Sequence, residues 1–297
     1  NDEGRIVVSN AYDQTEFIRS TDPNFRPVNS ATGPDGCLYI VDMYRGIIQE
    51  GNWVRDGSYL RGVVQEYELD KNIGRGRIFR VDHTSTRRGA TPRMLDETPA
   101  QLVTHLSHPN GWWRSEAQKL IILHGDRSVI PQLEQLARTG ENPLGRLHAL
   151  WTLEGLAAVS ESLITEKFAD ADDRLRAAAV RMTESVIASD RSFDDHIEEL
   201  TKDESPDVVI QTLLSVTRGE HPHLDALTNA IVVAHAGNQA IMSVAGRIRA
   251  NMEAMIAEKK KIEEIRRRSK LLAESIVRGK VTYSTLCITC HGPDGKG

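Results

Sequence analysis

Apolar residues recur with helical spacing from about residue 95 to residue 250, and this pattern constrains the fold more than any other feature. Ala117, Leu120 and Ile121 share one face of a helix. The pattern returns with Ile130, Leu133 and Leu136; with Leu147, Leu150 and Leu153; with Leu175, Ala178, Ala179 and Met182; and with Val208, Val209 and Leu213. The region therefore predicts a series of amphipathic helices.

The predicted helix starts are spaced at a nearly constant interval. Residues that favour a helix N-terminus stand at 108–110, 141–143, 170–173 and 204–207, each before an apolar run. Pro109 and Pro143 are 34 residues apart, and Pro143 and Pro206 are 63 apart, about two intervals of 31. Such self-similarity is typical of an α-solenoid, in which neighbouring helix pairs share one core. The repeats resemble short HEAT-type repeats.

The stretch from 287 to 297 has a second strong signal. Cys287, Cys290 and His291 form Cys-x-x-Cys-His, the signature of covalent c-type haem attachment. Each cysteine sulfur can bond one vinyl group of the porphyrin, and the histidine becomes the proximal ligand of the iron. Residues 279–283 and 292–297 resemble the segments that flank this motif in bacterial class I cytochromes c. We therefore expect covalent haem c, with His291 as axial ligand.

Two other chemistries use a Cys-x-x-Cys pair. A structural zinc site requires two further ligands, and the remaining cysteine, Cys37, is far away in the chain. A thiol redox pair is expected near a βαβ pattern, and none precedes Cys287. Haem attachment is the favoured interpretation of the motif.

The predicted cytochrome domain is truncated. Class I cytochromes c usually take a second axial ligand, often methionine, from well downstream of the motif. All six methionines of this chain precede it, the last being Met255. Residues 279–297 thus predict the start of a cytochrome c domain without its second axial ligand.

Composition excludes some classes of partner. The chain is 27% charged and 39% hydrophobic, a globular balance, and its formal charge of -5 argues against nucleic acid as a partner. No run approaches the roughly 18 apolar residues of a membrane span. Because bacteria attach c-type haem outside the cytoplasmic membrane, the motif implies a periplasmic or cell-envelope location.

Residues 1–90 show a strand-and-turn pattern instead. Gly-Pro-Asp-Gly at 33–36 is a turn signal. The apolar stretches 5–8, 37–42 and 76–81 fit strands. The polar segment from Met43 to Gly74, which contains Trp53, is expected to be a long loop. Turn, strand, long loop and strand suit one blade of a β-propeller.

Several stretches resemble one bacterial family of membrane-bound, haem-binding dehydrogenases, similar to the quinoprotein sugar dehydrogenases. Residues 29–46 and 74–81 resemble the closing part of its propeller, and 108–121 and 149–155 resemble its helical array. The resemblance implies a mostly α fragment: a piece of propeller at 1–90, a HEAT-like α-solenoid at 95–250, a charged linker helix at 251–278 and the cytochrome start at 279–297.

The resemblance also implies a redox function. The whole protein would oxidise a substrate at the propeller, where pyrroloquinoline quinone is a candidate cofactor, and pass electrons to the haem and then to an unidentified acceptor. Asp42, Arg45 and Arg61, with Tyr44 beside them, are the candidate catalytic residues; an ion-paired structural loop is the alternative. The fragment alone is not expected to be active.

A protein of another class fits the same organisation. Solenoids present extended concave surfaces to partners, so a non-catalytic interaction protein with a sensor or structural haem is the alternative. A fragment left inert by its truncated haem domain is a further one.

Other conspicuous side chains are predicted to be structural. Trp112 and Trp113 are expected to seal the junction with the preceding domain rather than form a binding platform. Four histidines do not share one i, i+4 face and are expected to be structural or exposed: His105, His108, His124 and His148.

Residues 251–278 predict a highly charged helix. Glu263 and Glu264 each precede an arginine by four residues, which favours helical ion pairs. A narrow apolar stripe runs along it, made of Met255, Ile262, Ile265, Leu272 and Ile276. A solvated linker is the simplest interpretation. The alternative is a surface that attracts an acidic redox partner.

Overall fold

The structure is a computed structural model that describes residues 8–48, 54–186, 193–219, 221 and 223–295. The chain is mostly helical, with one small antiparallel sheet, as the sequence predicts at this level. The sheet comes first along the chain and the helices follow. Residues 5–7 of the predicted first strand, and Trp53 in the predicted loop, lie outside the described residues.

The sheet has three strands in the order β1 (Pro27–Thr32), β2 (Leu38–Asp42) and β3 (Arg77–Val81). β2 is central, with Leu38 opposite Val81 and Asp42 opposite Arg77 in the antiparallel register. β2 and β3 confirm the strands predicted at 37–42 and 76–81. β1 was not predicted, because its sequence PVNSAT lacks an apolar alternation and each of its residues is exposed.

The segment between β2 and β3, expected to be a loop, contains a helix. α1 (Tyr59–Glu66) begins after Ser58, whose side chain accepts a hydrogen bond from the backbone N–H of Arg61. Val64 of this helix packs with Ile47, Val54 and Leu69 in a small separate core. The expectation of an irregular loop was wrong, since a few apolar residues far apart in sequence fold the segment onto itself.

Ten helices follow the sheet along the described chain: α2 (Pro99–His105), α3 (Gly111–His124), α4 (Ile130–Thr139), α5 (Pro143–Gly155), α6 (Glu161–Phe168), α7 (Asp173–Val186), α8 (Asp194–Leu200), α9 (Pro206–Arg218), α10 (Leu224–Ala234) and α11 (Gln239–Thr282). A short α12 (Ile288–His291) comes last. The longer odd-numbered helices contact one another in succession, α3 with α5, α5 with α7 and α7 with α9, while the shorter helices pack beside them.

Regular caps set the helix starts. The side chains of Asn110, Asn142 and Asn238 each accept a backbone N–H from the first turn of the helix that follows, which satisfies a donor that would otherwise lack a partner. Asn110 and Asn142 are 32 residues apart, and Ser205, the N-cap of α9, precedes Asn238 by 33. The predicted helix starts near 110, 143, 173 and 206 are confirmed.

Arginine–aspartate pairs connect successive helices. Arg176 on α7 donates to Asp203 from Nε and Nη2, both at 2.8 Å. Arg146 on α5 lies 3.1 Å from Asp170, which also pairs with Lys167 at 2.9 Å. Both aspartates stand in the connection before the next long helix, so each pair fixes one helix against the start of another.

The first helices are joined directly to the sheet. Trp113 Nε1 donates to the carbonyl oxygen of Pro34 at 2.9 Å, and Asn110 Nδ2 donates to that of Gly33 at 2.9 Å. Trp113 is buried and Trp112 packs partly against the same core. The prediction that these tryptophans seal the junction is confirmed for Trp113 by its hydrogen bond to the turn.

α11 is a single helix of 44 residues with two different halves. Ile241, Ala245 and Ile248 are buried against α9 and α10. From residue 251 to 282 no residue is buried, and all of this stretch is described. The helix therefore continues without a break from the packed array to the Cys-x-x-Cys-His motif.

Candidate functional site

A change of helical winding separates α11 from the motif. The α-helix ends at Thr282, a π-helical turn spans Tyr283–Cys287, and α12 covers Ile288–His291. A π-turn inserts one extra residue and rotates the next turn about the helix axis, and such turns are frequent at functional sites. Cys287 is the last residue of the π-turn and Cys290 lies three residues on, in α12, a spacing that places side chains on one helical face.

A tyrosine ties the motif to the loop after it. The Tyr283 hydroxyl donates to the carbonyl oxygen of Gly292 at 2.6 Å. Gly292 has φ 69°, a conformation that glycine adopts without steric cost, and it turns the chain back toward Tyr283. Its backbone N–H bonds to the carbonyl of Ile288 at 3.0 Å. These hydrogen bonds thus connect the end of the helix, the motif and the loop that follows it.

The reactive groups of the motif are accessible. Both cysteines are free thiols; Cys287 is half-buried, and Cys290 and His291 are exposed. Val281, Leu286 and Ile288 next to them are also exposed. Two thiols and an imidazole on a single turn, with apolar neighbours, can form two bonds to one large planar ligand.

The chemistry of these donors fits a haem better than a bare metal ion. Two thiols can form thioethers with the two vinyl groups of one macrocycle, and the following imidazole can bind its iron. Across the described part of the chain, no three His, Cys, Asp or Glu side chains converge to hold a metal ion. Zinc would need two more ligands than the cysteine pair supplies.

No helix among the described residues is both long and apolar enough to cross a bilayer.

Asp42, the first of the candidate catalytic residues, is fully buried at the end of β2. It accepts hydrogen bonds from the backbone N–H of Arg26 at 2.8 Å and of Tyr44 at 2.9 Å, and from Arg77 Nε at 3.2 Å. Burial alone raises the pKa of Asp42, but these donors outweigh it and the pKa is lowered. Three donors therefore hold this carboxylate in place, from the residue before β1, from the loop after β2 and from β3.

Arg77 extends this cluster toward the surface. Its guanidinium carbon lies 3.5 Å from the centre of the Tyr44 ring, and Nη2 lies 3.6 Å from Asp22. A hydrogen bond to the Asp22 carboxylate raises the pKa of the Tyr44 hydroxyl. Tyr44 has φ 48°, unusual for a tyrosine. The sequence pattern identified Tyr44 but not Arg77 or Asp22, which pair with residues up to 35 positions away.

Arg45 and Arg61 have other partners than Asp42. Arg45 Nε donates to the carbonyl of Ile47 at 2.9 Å, and Arg61 Nε is 3.8 Å from Asp56. Within the described ranges, these hydrogen bonds and ion pairs do not join Asp42, Arg45 and Arg61 to one another. Their catalytic role remains a prediction; Asp42 and Arg61 are ion-paired and Arg45 bonds to a backbone carbonyl, which fits the structural alternative.

Three of the four histidines have local structural contacts. His105 Nε2 is 2.7 Å from Glu97, His108 stacks on Trp113, and His148 Nδ1 is 2.7 Å from Gln118. Burial, then the charge of Arg114, lowers the pKa of His148, which favours the neutral ring. His124 is exposed in the last turn of α3. These contacts agree with the structural interpretation.

Comparison with known proteins gives one partial match. Residues 1–85 match a family model described as a domain of unknown function, DUF7133. The match covers the sheet and α1 and stops before the helical array and the Cys-x-x-Cys-His motif. Searches of curated proteins and of solved structures gave no match.

Proposed function

We propose that this chain binds haem c covalently through Cys287 and Cys290, with His291 as axial ligand, and that it functions in electron transfer. The observation that carries the proposal is the motif itself, with both thiols and the imidazole on one accessible turn that Tyr283 ties to the following loop. Haem supplies one-electron transfer at its iron, and axial ligation tunes the potential.

The role of each residue follows from its chemistry. Cys287 and Cys290 would hold the haem through thioether bonds to its two vinyl groups, and since each thiol would add S–H across one vinyl group, no oxidant would be needed. His291 offers a ring nitrogen to the iron. Tyr283 holds the loop at Gly292 so that the end of α12 keeps one position relative to α11.

The wider proposal places the motif in a periplasmic or cell-envelope redox protein. In it, α2 to the first half of α11 form an α-solenoid of HEAT-like repeats, supported by the regular caps and the arginine–aspartate pairs. The three-stranded sheet is part of a propeller, and the motif starts a class I cytochrome c domain. The whole protein would be a quinoprotein-like dehydrogenase that delivers electrons from its substrate to the haem.

A second candidate is a non-catalytic interaction protein with a sensor or structural haem. One observation favours it: Asp42 bonds to Arg26, Tyr44 and Arg77, and Arg45 bonds to the carbonyl of Ile47, so these two side chains hold strands and loops together. An active site would need charged side chains that converge with groups left available to a substrate. Both candidates share the haem and differ in whether the N-terminal region turns over a substrate.

The test is a pyridine haemochrome spectrum of the chain produced in a host with periplasmic cytochrome c maturation. The control is the Cys287→Ala, Cys290→Ala variant, and a His291→Ala variant separates iron ligation from attachment. We expect a c-type spectrum that survives denaturation in the parent and is absent from the control. Equal, extractable haem in parent and control, or no haem in either, would refute the proposal.

A further inference from the structure

We infer that the exposed half of α11 is a docking surface for an amphipathic helix with acidic flanks, belonging to another protein. The apolar stripe on this half is uncovered: Met255, Ile262, Ile265, Leu272 and Ile276 are between 43% and 63% exposed. The segment from 255 to 276 is about 32 Å long at 1.5 Å per residue. A stripe of this length can accommodate a partner helix, and the charges beside it indicate which kind.

The spacing of the stripe is that of a helix–helix seam. Met255, Ile262, Ser269 and Ile276 recur every seven residues, and Glu258, Ile265 and Leu272 form the second row three positions on. Between residues 257 and 270 the only large apolar residues are Ile262 and Ile265, so the rows form a narrow stripe there that fits one partner helix, whereas a helix lying in a bilayer surface presents a wider apolar face. Ile256, Leu271 and Val277 are also exposed, but they lie outside the rows and beyond this charged stretch. Ser269 and Glu258 are polar residues within the rows. Polar residues in a seam can fix the register of a helix pair, and they make contact with lipid less favourable.

The charges that flank the seam all have one sign. Lys259 and Arg266 lie along one side of the stripe, and Lys261 and Arg268 lie along the other, at the positions that face a partner helix. Arg268 is paired with Glu264 at 2.8 Å, on the side away from the seam. Glu253, Glu263, Glu264 and Glu274 stand at outward heptad positions. A docking helix therefore meets cations on both sides.

This arrangement argues against a second copy of the chain as the occupant. In a parallel pair, Lys261 would face Arg266 of the second copy, and in an antiparallel pair each flank would face the same cationic flank. Like charges across a seam are unfavourable. Residues 251–282 contain nine Lys and Arg and five Glu in a chain whose formal charge is -5, so this basic surface is local. Acidic flanks on a different protein complement it.

The experiment uses the full chain and a designed peptide of about 22 residues, with Ile and Leu in the two seam rows and Glu at the flanking positions. Binding is measured by isothermal titration with the parent chain. The test variant is Lys259→Glu, Lys261→Glu, Arg266→Glu. The matched control is Lys260→Glu, Arg267→Glu, Arg278→Glu, which changes the net charge equally on the face away from the seam. Circular dichroism checks the helix content of both variants.

We expect the flank variant to bind the Glu-flanked peptide at least about tenfold more weakly than the parent, while the outward variant binds as the parent does. A Lys-flanked peptide should show the opposite preference and bind the flank variant. Raising the salt concentration should weaken parent binding, because exposed charges are screened.

Three outcomes would overturn the inference. The first is failure of the Glu-flanked peptide to bind the parent, or equal losses in the two variants. The second is sedimentation showing a dimer of the parent that Ile262→Ser, Ile265→Ser abolishes. The third is binding of the parent to phosphatidylglycerol vesicles through the same stripe while the peptide does not bind. None of these measurements depends on haem, so their results stand apart from the haemochrome test.

Discussion

The long helices of the packed array and the second half of α11 each have an apolar stripe, yet the stripes have opposite surroundings. Leu153 on α5 and Leu213 on α9 are fully inaccessible, whereas Leu272 on α11 is 63% exposed. Each helix of the array is covered by neighbours before and after it, and α11 leaves the array after Ile248. An apolar stripe in the sequence predicts that a helix has a face to bury, but it does not say which neighbour covers that face.

The charged pairs of the two regions also differ in burial and in which helices they connect. Arg176 reaches Asp203, 27 residues away, and both side chains are about 10% exposed. Glu264 pairs with Arg267 and Arg268 on its own helix, three and four residues away, and the arginines are mostly exposed. The first kind of pair fixes one helix against another. The second kind supports only the helix on which it stands.

The largest effect is expected where a buried pair is broken. Arg176→Ala would leave Asp203 buried without its bidentate partner, which destabilises by about 3–5 kcal/mol when such a pair is truncated. Arg268→Ala removes a solvent-exposed pair and should cost no more than about 0.5 kcal/mol. Urea unfolding followed by circular dichroism measures both variants. Similar losses in the two would contradict the contrast between the regions.

A leucine pair tests the apolar side of the comparison. Leu153→Ala creates a cavity in the core and should lower the free energy of unfolding by about 3 kcal/mol. Leu272→Ala deletes the same atoms from an exposed stripe and should change it by less than about 0.5 kcal/mol. If Leu272→Ala costs as much as Leu153→Ala, the second half of α11 is covered in solution.

Local sequence signals predicted the helix starts, because caps and prolines act within one turn. Asn110 and Asn142 each accept a backbone N–H two residues on, and such short-range bonds are readable from sequence. β1 could not be predicted in this way, since all its residues are exposed and they form a strand only by pairing with β2. α1 likewise depends on Val64 packing with residues outside its helix.

In the candidate sites, too, contiguous features could be predicted from the sequence and long-range contacts could not. Cys287, Cys290 and His291 are a contiguous motif and were identified from spacing alone. The bond from Tyr283 to Gly292 depends on the π-turn and on the positive φ of the glycine, neither of which the spacing reveals. The pairing of Asp42 with Arg77 spans 35 residues and depends on the register of β2 and β3.

Acid should weaken the array. Burial raises the pKa values of Asp170 and Asp203, but hydrogen bonds and cationic partners outweigh burial and lower both pKa values. The pKa of each carboxyl is lower in the folded state than its unfolded value of about 3.9. The ionised carboxylates therefore stabilise the fold above that pH, and this stabilisation is lost as the pH falls through the folded-state pKa. Each carboxyl contributes a slope of up to about 1.4 kcal/mol per pH unit.

Urea unfolding at a series of pH values between about 6 and 2.5 measures this dependence. Arg176→Ala removes a cause of the lowered pKa of Asp203, so this variant should lose less stability than the parent over the acid range. An equal acid dependence in parent and variant would show that Arg176 does not control the titration of Asp203.

The smallest effect is expected at the motif. Tyr283→Phe removes the hydrogen bond to the Gly292 carbonyl, worth about 1 kcal/mol, so the loop should open more often. The amide of Gly292 should then exchange its hydrogen about fivefold faster, because exchange reports local opening. Ser284→Ala is the matched control, since its hydroxyl bonds to Val281 within the same helix. Amide exchange is followed by NMR on the haem-free chain of both variants. Faster exchange in Tyr283→Phe alone would show that the Tyr283 hydrogen bond holds the loop. Equal rates in both variants would mean that the π-turn holds the loop without this bond.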